Sequence, residues 1–303
     1  MIVCCYNSAR RLPPTLEHLS KQRGLDNIPF EIIIVDNAST DQTAKIAAES
    51  SFKVVYEPSP GLYNARKRGI AAAAYETLVF CDDDNWLDEN YSAVAFDLMK
   101  DKSIAAAGGI GTPEFETSEP EWFGSVSSYF AVGDQSNSKM NGFQYLYGAG
   151  LVIRKSALTK LFESGFINAA VGRTGSTMLS GEDVELTLAL QQIGYRVVFS
   201  DKLRFRHFIP KERLTMKYCR RLLQGIGYSS ELLYPVRRKF DRSLVVPYPN
   251  RHSLMRSWRR VFATGVVMML PFPRYGRFFN KLKVFLFEFG RLKFQMSKQK
   301  FFH

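Results

Sequence analysis

Short apolar runs alternate with stretches of helical hydrophobic spacing along the first 110 residues. The runs at residues 2–6, 31–35 and 77–81 are nearly continuous, and each is followed by polar residues and then a helical stretch. Continuous apolar strands of this length are typical of parallel sheets that helices cover on both faces. We therefore predict an α/β fold with a doubly wound, mainly parallel sheet, in which ligands bind beyond the carboxyl ends of the strands.

The rest of the chain has a different pattern. Residues 111–142 are rich in glycine, proline, serine and acidic residues, which predicts a long irregular insertion. The elements predicted after it are strand 143–153, helix 155–163, helix 182–193, strand 195–199 and helices 214–233, 254–269 and 274–294. We therefore divide the chain into residues 1–210, which have halves 1–110 and 111–210, and a basic, aromatic-rich helical appendage at 211–303.

Charge separates the same two parts. The chain carries 41 Lys and Arg against 29 Asp and Glu, a net charge of +12, but residues 1–201 are net −8 and residues 202–303 are net +20. A segment this basic attracts phosphate-bearing surfaces, either an anionic membrane or a nucleic acid. A nucleic-acid-binding function would leave the acidic clusters of the first part unexplained, so no nucleic acid partner is expected.

Composition limits the class of protein and its compartment. With 46% apolar and 23% charged residues, the chain has an ordinary globular composition, which excludes disorder and coiled coils. The apolar runs are shorter than the roughly 18 to 20 residues of a spanning helix, and no signal-peptide pattern opens the chain, so a cytoplasmic protein is expected. The four cysteines lack disulfide or zinc spacing and are predicted to be buried thiols.

Three consecutive carboxylates, Asp82, Asp83 and Asp84, close the predicted strand at 77–81. Oxygen ligands at this density suit Mg²⁺ or Mn²⁺ bound together with substrate phosphates. Alternate residues of an extended segment point the same way, so Asp82 and Asp84 are the predicted metal pair and Asp83 points elsewhere. The structural alternative is an acidic turn that caps the helix beginning near Asp88.

Two further residues favour a nucleotide contact. Asp36 ends the strand at 31–35, where a carboxylate can accept hydrogen bonds from a base or a ribose, although a plain turn aspartate has the same pattern. Arg66 lies in the middle of the inward face of the helix at 62–74, and an arginine near a helix N-terminus can contact a phosphate or a ribose. The alternative for Arg66 is a side chain that extends along the helix edge into solvent.

Two motifs lie in the second half. Glu182 and Asp183 open a predicted helix, where a carboxylate is placed as a general base usually is, while Ser180 and Asp183 also fit a capping box. Alternation of apolar and basic residues puts His207 on the inward face of its segment. There it can complete a metal shell or be an ordinary buried histidine.

The order of these motifs adds a resemblance to a known family. The chain strongly resembles glycosyltransferase family 2 in Cys5-Tyr6-Asn7, Val35 to Asp41, Gly61 to Arg66, Asp82-Asp83-Asp84 and Gly181-Glu182-Asp183. The resemblance covers roughly residues 1 to 215 and implies a GT-A fold, a nucleotide-sugar donor, a divalent metal and inversion at the anomeric carbon. The Gln-x-x-Arg-Trp signature of processive members is absent after the Glu-Asp motif, which favours transfer of a single sugar.

The resemblance also implies a role for individual residues. Asp183 is the implied catalytic base, and the implied metal ligands are Asp82, Asp84 and His207. The implied donor-binding residues are Tyr6, Asn7, Asp36, Arg66, Asp82 and Asp83. The candidate acceptor-side residues are Gly148, Ala149, Gly150, Arg173 and Glu182, of which Arg173 can also be read as a solvated loop residue.

These observations predict an inverting, metal-dependent enzyme that moves one sugar from a UDP-sugar to a glycan or polyprenyl-linked acceptor in cell-surface polysaccharide synthesis. The appendage, with aromatic residues such as Trp258, Phe262, Phe285 and Phe289, is expected to dock on the inner face of the cell membrane. These aromatics can instead pack on the catalytic part or on a second subunit of a homo-oligomer. The rival functions are a sugar-nucleotide nucleotidyltransferase and a non-catalytic basic binding protein.

Overall fold

The computed structural model describes residues 1–140, 142–168, 178, 180–233, 255, 259–262 and 275–299. The strands are β1 (Ile2–Cys5), β2 (Ile33–Asp36), β3 (Lys53–Tyr56), β4 (Thr77–Asp82), β5 (Asn85–Leu87), β6 (Ile104–Phe115), β7 (Gly133–Asp134), β8 (Lys139–Met140), β9 (Phe143–Gln144), β10 (Val152–Arg154) and β11 (Arg196–Ile209). The helices are α1 (Leu12–Ser20), α2 (Thr43–Glu49), α3 (Leu62–Ala72), α4 (Tyr91–Leu98), α5 (Lys155–Glu163), α6 (Glu182–Gln192), α7 (Met216–Leu232) and α8 (Tyr275–Gln299).

Within these residues, one large sheet has the strand order β3-β2-β1-β4-β10-β6-β11-β5, and β7 pairs with β6. The first four strands are parallel to one another, and β6 pairs in parallel with β11, whereas β10 is antiparallel to both of its neighbours. The predicted doubly wound, mainly parallel sheet is therefore confirmed. The register pairs Cys5 with Asp36 and Cys4 with Asp82, which brings both strand-end acids to the carboxyl edge of β1.

Helices cover both faces of the sheet. Alternation along β1 directs Val3 into a core that includes Leu12 and Leu16 of α1, and directs Ile2 into a second core that includes Ala65 of α3. Gly69 of α3 is required by this packing, because a β-carbon at that position would collide with the side chain of Ile2. Both cores lie directly behind the strand ends and fix their positions.

The structure corrects three predicted boundaries. The single strand predicted at 143–153 consists of two short strands, β9 and β10, that a loop separates. The irregular insertion begins later than predicted, because β6 continues to Phe115, and β11 does not end at Phe199 but continues to Ile209. Both strands run on because they pair with each other in parallel along most of their length, across an irregularity between Phe199 and Arg204.

A third core joins the insertion to the carboxyl-terminal helices. Trp122, Phe123 and Phe130 of the insertion pack with Leu222 of α7 and Leu286 of α8, together with neighbouring apolar residues. The helical character predicted for the appendage is confirmed for α7 and α8. The predicted helix at 254–269 lies mostly outside the described residues, as does Trp258.

Ion pairs also link α7 and α8. Arg291 of α8 donates to the buried carboxylate of Glu231 on α7 and also lies 3.3 Å from Glu288, which Arg260 contacts at 2.9 Å. The apolar face of α8 packs into the third core through Leu282 and Leu286. In the part of the chain that the structure describes, no helix is both long enough and apolar enough to cross a membrane.

Candidate active site

A cavity of about 690 Å³ opens at the carboxyl ends of the parallel strands. One wall comes from the first 84 residues and includes Tyr6, Asn37 and the acidic turn that follows β4. The opposite wall comes from the insertion, the start of α6 and the carboxyl-terminal helices. The cavity therefore lies where ligands bind in doubly wound sheets, and its size suits a nucleotide-sized ligand.

Three arginines lie among the described residues of the cavity wall, and each pairs with a different carboxylate. Arg11 donates two hydrogen bonds to Asp83, from Nε at 3.0 Å and from Nη2 at 2.8 Å. Each of the other two pairs is given by one nitrogen–oxygen contact. Arg66 Nη1 lies 3.4 Å from Glu182 Oε1, and Arg213 Nη1 lies 2.9 Å from Asp84 Oδ2. All six side chains are at most 24% exposed, so these pairs are poorly screened by water.

Two carboxylates on the wall remain without an arginine partner, Asp82 and Asp183. Across the described ranges, the Asp82 carboxylate has no hydrogen bond or ion pair, and burial raises its pKa against the opposing charge of Arg66. The Asp183 carboxylate accepts hydrogen bonds from the backbone N–H groups of Gly148 and Val184. Neither carboxylate forms an ion pair within the described residues, although the charge of Arg66 acts on both, so both are available to a ligand.

Asp84 has three side-chain partners. Besides Arg213, it lies 3.4 Å from His207 Nε2 and accepts from Asn85 Nδ2 at 3.3 Å. Burial alone would raise the pKa of Asp84, but the charges of Arg213 and His207 outweigh it and hold that pKa below its usual value. His207 Nδ1 is buried and has no hydrogen-bond partner within the described residues.

Asp83 has different partners from the other two acids. Besides Arg11 it accepts from the hydroxyl of Ser8, and its backbone carbonyl accepts from Thr15 Oγ1 at 2.8 Å. These contacts fasten the acidic turn to β1 and α1. Asp83 thus anchors the turn through contacts that Asp82 and Asp84 do not share.

The metal ligands implied by the sequence were tested against this arrangement. In the described ranges, no three His, Cys, Asp or Glu side chains are already grouped as a metal site. The chemistry of the donor set nevertheless fits a hard divalent cation, because two carboxylates, Asp82 and Asp84, follow the same strand and His207 Nε2 lies 3.4 Å from Asp84 Oδ1. A cation held there would replace the contacts of Asp84 with Arg213 and His207.

Of the three residues predicted to contact the nucleoside, one lines the cavity and two do not. Tyr6 is 45% exposed and lines the cavity, whereas Asn7 and Asp36 do not line it. Asn7 accepts from the backbone N–H of Thr40 at 2.8 Å, and Asp36 accepts from that of Ser39 at 3.2 Å. Both therefore hold the loop after β2.

Asn37 was missed by the sequence analysis and does line the cavity. Its side chain donates to the carbonyl of Ser59 at 2.7 Å and accepts from the backbone N–H of Gly61 at 2.7 Å. It thereby joins the loop after β2 to the start of α3. Its position directly after the strand-end acid Asp36 was the signal that could have drawn attention to it.

The predicted acceptor-side loop, residues 148–150, lies beside Asp183 and beside Arg66, the partner of Glu182. A β-carbon at Gly148 would collide with the Arg66 guanidinium, so glycine is required for Arg66 to occupy this position. Ala149 also lines the cavity, and the carbonyl of Gly150 accepts from the hydroxyl of Tyr91. Arg173 lies outside the described residues.

The start of α6 differs from the predicted capping box. Gly181 is the N-cap residue, with a φ of 107°, and no side chain caps the helix. The backbone N–H of Ser180 instead donates to Ser229 of α7 at 3.1 Å. Within the described residues Asp183 therefore has no reciprocal capping partner. Its side chain lines the cavity.

Aromatic and hydroxyl side chains line the outer part of the cavity, a feature that the sequence did not indicate. Tyr129 lies beside Phe287 of α8, with ring centroids 6.5 Å apart. Further residues of this aromatic wall are Phe130, Tyr145, Tyr147, Tyr218, Ser229 and Ser230. Phe287 is 80 positions from His207 and farther from the other motifs of the cavity, so no local sequence signal could have linked them.

Comparisons with known proteins identify the family of the chain. Residues 1–162, more than half of the 303-residue chain, match the family model for glycosyl transferase family 2. EpsH of Bacillus subtilis (strain 168) is 38% identical over 96 residues, 30% of this chain and 27% of EpsH. The poly-beta-1,6-N-acetyl-D-glucosamine synthase of Staphylococcus epidermidis is 24% identical over 218 residues, 69% of this chain and 50% of the synthase. The chain thus spans half or less of the length of these curated relatives.

A solved structure extends the likeness to the whole fold. The mannosyltransferase PcManGT from Pyrobaculum calidifontis, in complex with GDP-Man and Mn²⁺, has a TM-score of 0.59 at 16% identity, covering 96% of this chain and 86% of that one. The fold therefore belongs to the GT-A class, as predicted. The chain belongs to glycosyl transferase family 2, which confirms the resemblance found in its motifs.

Proposed function

We propose that this protein transfers a single sugar from a nucleoside-diphosphate sugar to a hydroxyl of a glycan or lipid-linked glycan, with inversion at the anomeric carbon. The observation that carries the proposal is that Asp82 and Asp183 alone lack an arginine partner among the described carboxylates of the cavity. One is needed on the donor side and the other on the acceptor side of such a reaction. Family membership supports the same reaction class.

Asp183 is the proposed base. Its carboxylate takes the proton of the acceptor hydroxyl, whose oxygen forms the new bond to the anomeric carbon as the bond to the diphosphate breaks. The hydrogen bonds from Gly148 and Val184 fix the direction of the carboxylate without neutralising its charge. Glu182 is the weaker candidate, because its carboxylate is buried against Arg66.

On the donor side, Tyr6 and Asn37 would contact the nucleoside, and Arg66 would contribute positive charge near the transferred sugar or the diphosphate. Asp36 and Asn7 would act by holding the loop that carries Asn37. We expect a UDP-sugar, although PcManGT was solved with GDP-Man, so both bases belong in the test.

Asp82 and Asp84, with His207 behind Asp84, would hold Mg²⁺ or Mn²⁺. The bound cation would neutralise the charge that develops on the departing diphosphate. The family fold supports this requirement, since PcManGT carries Mn²⁺ in its complex. Asp83 would contribute indirectly by fixing the turn.

The aromatic wall is the proposed acceptor surface. Aromatic rings stack on the apolar faces of sugar rings, and hydroxyls such as those of Ser229 and Tyr218 can hydrogen-bond to their edges. A relative that makes poly-beta-1,6-N-acetyl-D-glucosamine supports a role in cell-surface polysaccharide synthesis. The positive charge of residues 202–303 supports binding at the inner face of an anionic membrane, where a polyprenyl-linked acceptor would reside.

The test is a donor panel. The full chain would be incubated with Mn²⁺ or Mg²⁺ and with UDP-GlcNAc, UDP-glucose, UDP-galactose or GDP-mannose, and release of the nucleoside diphosphate would be measured. We expect slow hydrolysis of one donor that EDTA abolishes. Formation of nucleoside triphosphate and sugar 1-phosphate when pyrophosphate is added would instead indicate a nucleotidyltransferase. A lack of turnover with all donors and added oligosaccharides would contradict the proposal.

A further inference from the structure

Arg213 is a cavity residue that the sequence analysis assigned to the basic appendage. It ends a short 3-10 turn, Lys211–Arg213, which follows β11 almost directly, so the strand that carries His207 also positions Arg213. Its side chain is 22% exposed and reaches Asp84 Oδ2 at 2.9 Å. Arg213 is thus paired with the Asp84 carboxylate, which is a proposed ligand of the cation.

The contact leaves most of the guanidinium available. An arginine carries five N–H donors in a planar fork, and within the described residues Arg213 uses one nitrogen, on Asp84. Such a fork binds two phosphate oxygens at once. Arg11 differs from it, because two of its nitrogens already hold Asp83. Arg213 is therefore the arginine of the acidic turn that has donors to offer.

Charge at the turn favours an exchange. The described wall carries five carboxylates, on Asp82, Asp83, Asp84, Glu182 and Asp183, so its carboxylates outnumber its three arginines by two, with His207 as a further group that can be positive. A divalent cation between Asp82 and Asp84 would balance that excess and remove the need for Arg213 at Asp84. The donor diphosphate would then bring new negative charge to the same place.

We propose that Arg213 exchanges its partner during the reaction cycle: it neutralises Asp84 in the empty site and binds the diphosphate of the donor in the loaded site. The inference rests on the proposed function and adds to it a donor-binding residue. It also means that Arg213 competes with the cation for Asp84 until the donor arrives.

The proposed exchange predicts that one substitution raises the affinity for Mn²⁺ and lowers the affinity for the nucleotide. In Arg213→Ala, Mn²⁺ alone should bind at least about tenfold more tightly, because a neighbouring positive charge and a competitor for Asp84 are gone. In the presence of saturating Mn²⁺, UDP or GDP should bind at least about tenfold more weakly, because the bidentate phosphate contact is lost. Mn²⁺ affinity would be measured by electron paramagnetic resonance and nucleotide affinity by calorimetry, on the full chain.

Lys211→Ala is the matched control, since it removes the same charge from the same turn at an exposed position that does not line the cavity. Both affinities should stay within about twofold of the wild type. Arg213→Lys keeps the charge but not the fork, so it should retain wild-type Mn²⁺ affinity and lose nucleotide affinity. It keeps the test decisive if the alanine variant does not fold.

The outcomes separate the two proposals. Unchanged or weaker Mn²⁺ binding in Arg213→Ala, or unchanged nucleotide binding, would overturn the exchange while the wild type still hydrolyses its donor. A wild type that binds Mn²⁺ but never turns over any donor would overturn the proposed function and leave the affinity shifts of Arg213→Ala to be judged on their own. A wild type that binds neither Mn²⁺ nor nucleotide would overturn both.

Discussion

Gly227 of α7 lies directly against the backbone carbonyl of Phe287 on α8. A β-carbon at Gly227 would collide with that oxygen, and one turn further along α8, a β-carbon at Gly290 would collide with the carbonyl of Gln224. The two helices cross at van der Waals distance because each has a glycine where the other's backbone passes. This crossing places the Phe287 side chain in the cavity.

Gly227→Ala should therefore lower the stability of the protein. Overpacking of this kind costs about 1 to 3 kcal/mol, which corresponds to a fall in melting temperature of roughly 2 to 12 °C, offset in part by the better helix propensity of alanine. Differential scanning calorimetry would measure it. Gly124→Ala is the control, because nothing lies within 4 Å of a β-carbon there. Equal melting temperatures for the two variants would contradict the proposed crossing contact.

Phe287→Ala should impair acceptor use without affecting the donor. The loss of one aromatic contact, about 1 to 2 kcal/mol, predicts a rise in acceptor KM of roughly 5- to 30-fold, while donor hydrolysis without acceptor stays within about twofold. Phe289→Ala is the matched control, since Phe289 lies on the same helix and does not line the cavity. If both variants raise the acceptor KM equally, Phe287 acts through helix packing and not through contact.

Asp183→Asn should nearly abolish transfer and leave donor affinity intact, because loss of a general base costs about 10²- to 10⁴-fold in rate. Glu182→Gln should behave differently. It leaves the buried guanidinium of Arg66 without its carboxylate, so a lower melting temperature and weaker donor binding are expected. Single-turnover rates and nucleotide calorimetry separate the two. An active Asp183→Asn enzyme would identify another residue as the base.

Substitutions of the three acids after β4 should affect different properties, namely metal binding or thermal stability. Asp82→Asn and Asp84→Asn should weaken Mn²⁺ binding and turnover, whereas Asp83→Asn should chiefly lower the melting temperature, because Asp83 holds Arg11 and Ser8. Breaking a buried ion pair of this kind costs a few kcal/mol. Mn²⁺ titration and thermal melts of all three variants provide the comparison. Loss of Mn²⁺ affinity in folded Asp83→Asn equal to that in Asp82→Asn would show that the assignment is wrong.

Membrane binding is tested by flotation on vesicles with and without phosphatidylglycerol. The full chain should float on anionic vesicles at low salt and release at high salt, since the attraction is electrostatic at about 1 kcal/mol per basic residue near the surface. Neutral vesicles are the control. Much of the apolar face of α8 is already packed inside the protein, so binding must rely on the charges and on exposed side chains such as Phe262, which is 72% exposed. Absence of salt-sensitive flotation would end the membrane hypothesis.

Local sequence patterns predicted the parts of the fold and site that depend on neighbouring residues. The strand ends with Asp36 and Asp82 follow from continuous apolar runs, and the buried face of α3 with Arg66 follows from helical spacing. The burial of His207 follows from alternation along β11. Each of these signals lies within a few residues of the side chain concerned.

The partners of these residues could not be predicted in the same way. Arg213 and Asp84 are 129 positions apart, and Arg66 and Glu182 are 116 apart. Which arginine meets which acid depends on the register of β11 against β6 and on the course of the chain after β11, neither of which leaves a periodic signal. The aromatic wall was missed for a related reason, because its residues come from the insertion and from two distant helices.

The two walls of the cavity pack on different hydrophobic cores. The nucleotide wall rests on the sheet and its two cores, while the aromatic wall rests on the third core, formed by the insertion with α7 and α8. Substitutions on the aromatic wall therefore act first on the third core, which meets the sheet at Phe115 of β6 and Ile209 of β11. For an engineer, residues such as Tyr129, Tyr218 and Phe287 form a library target through which new acceptors could be selected while the donor remains the same.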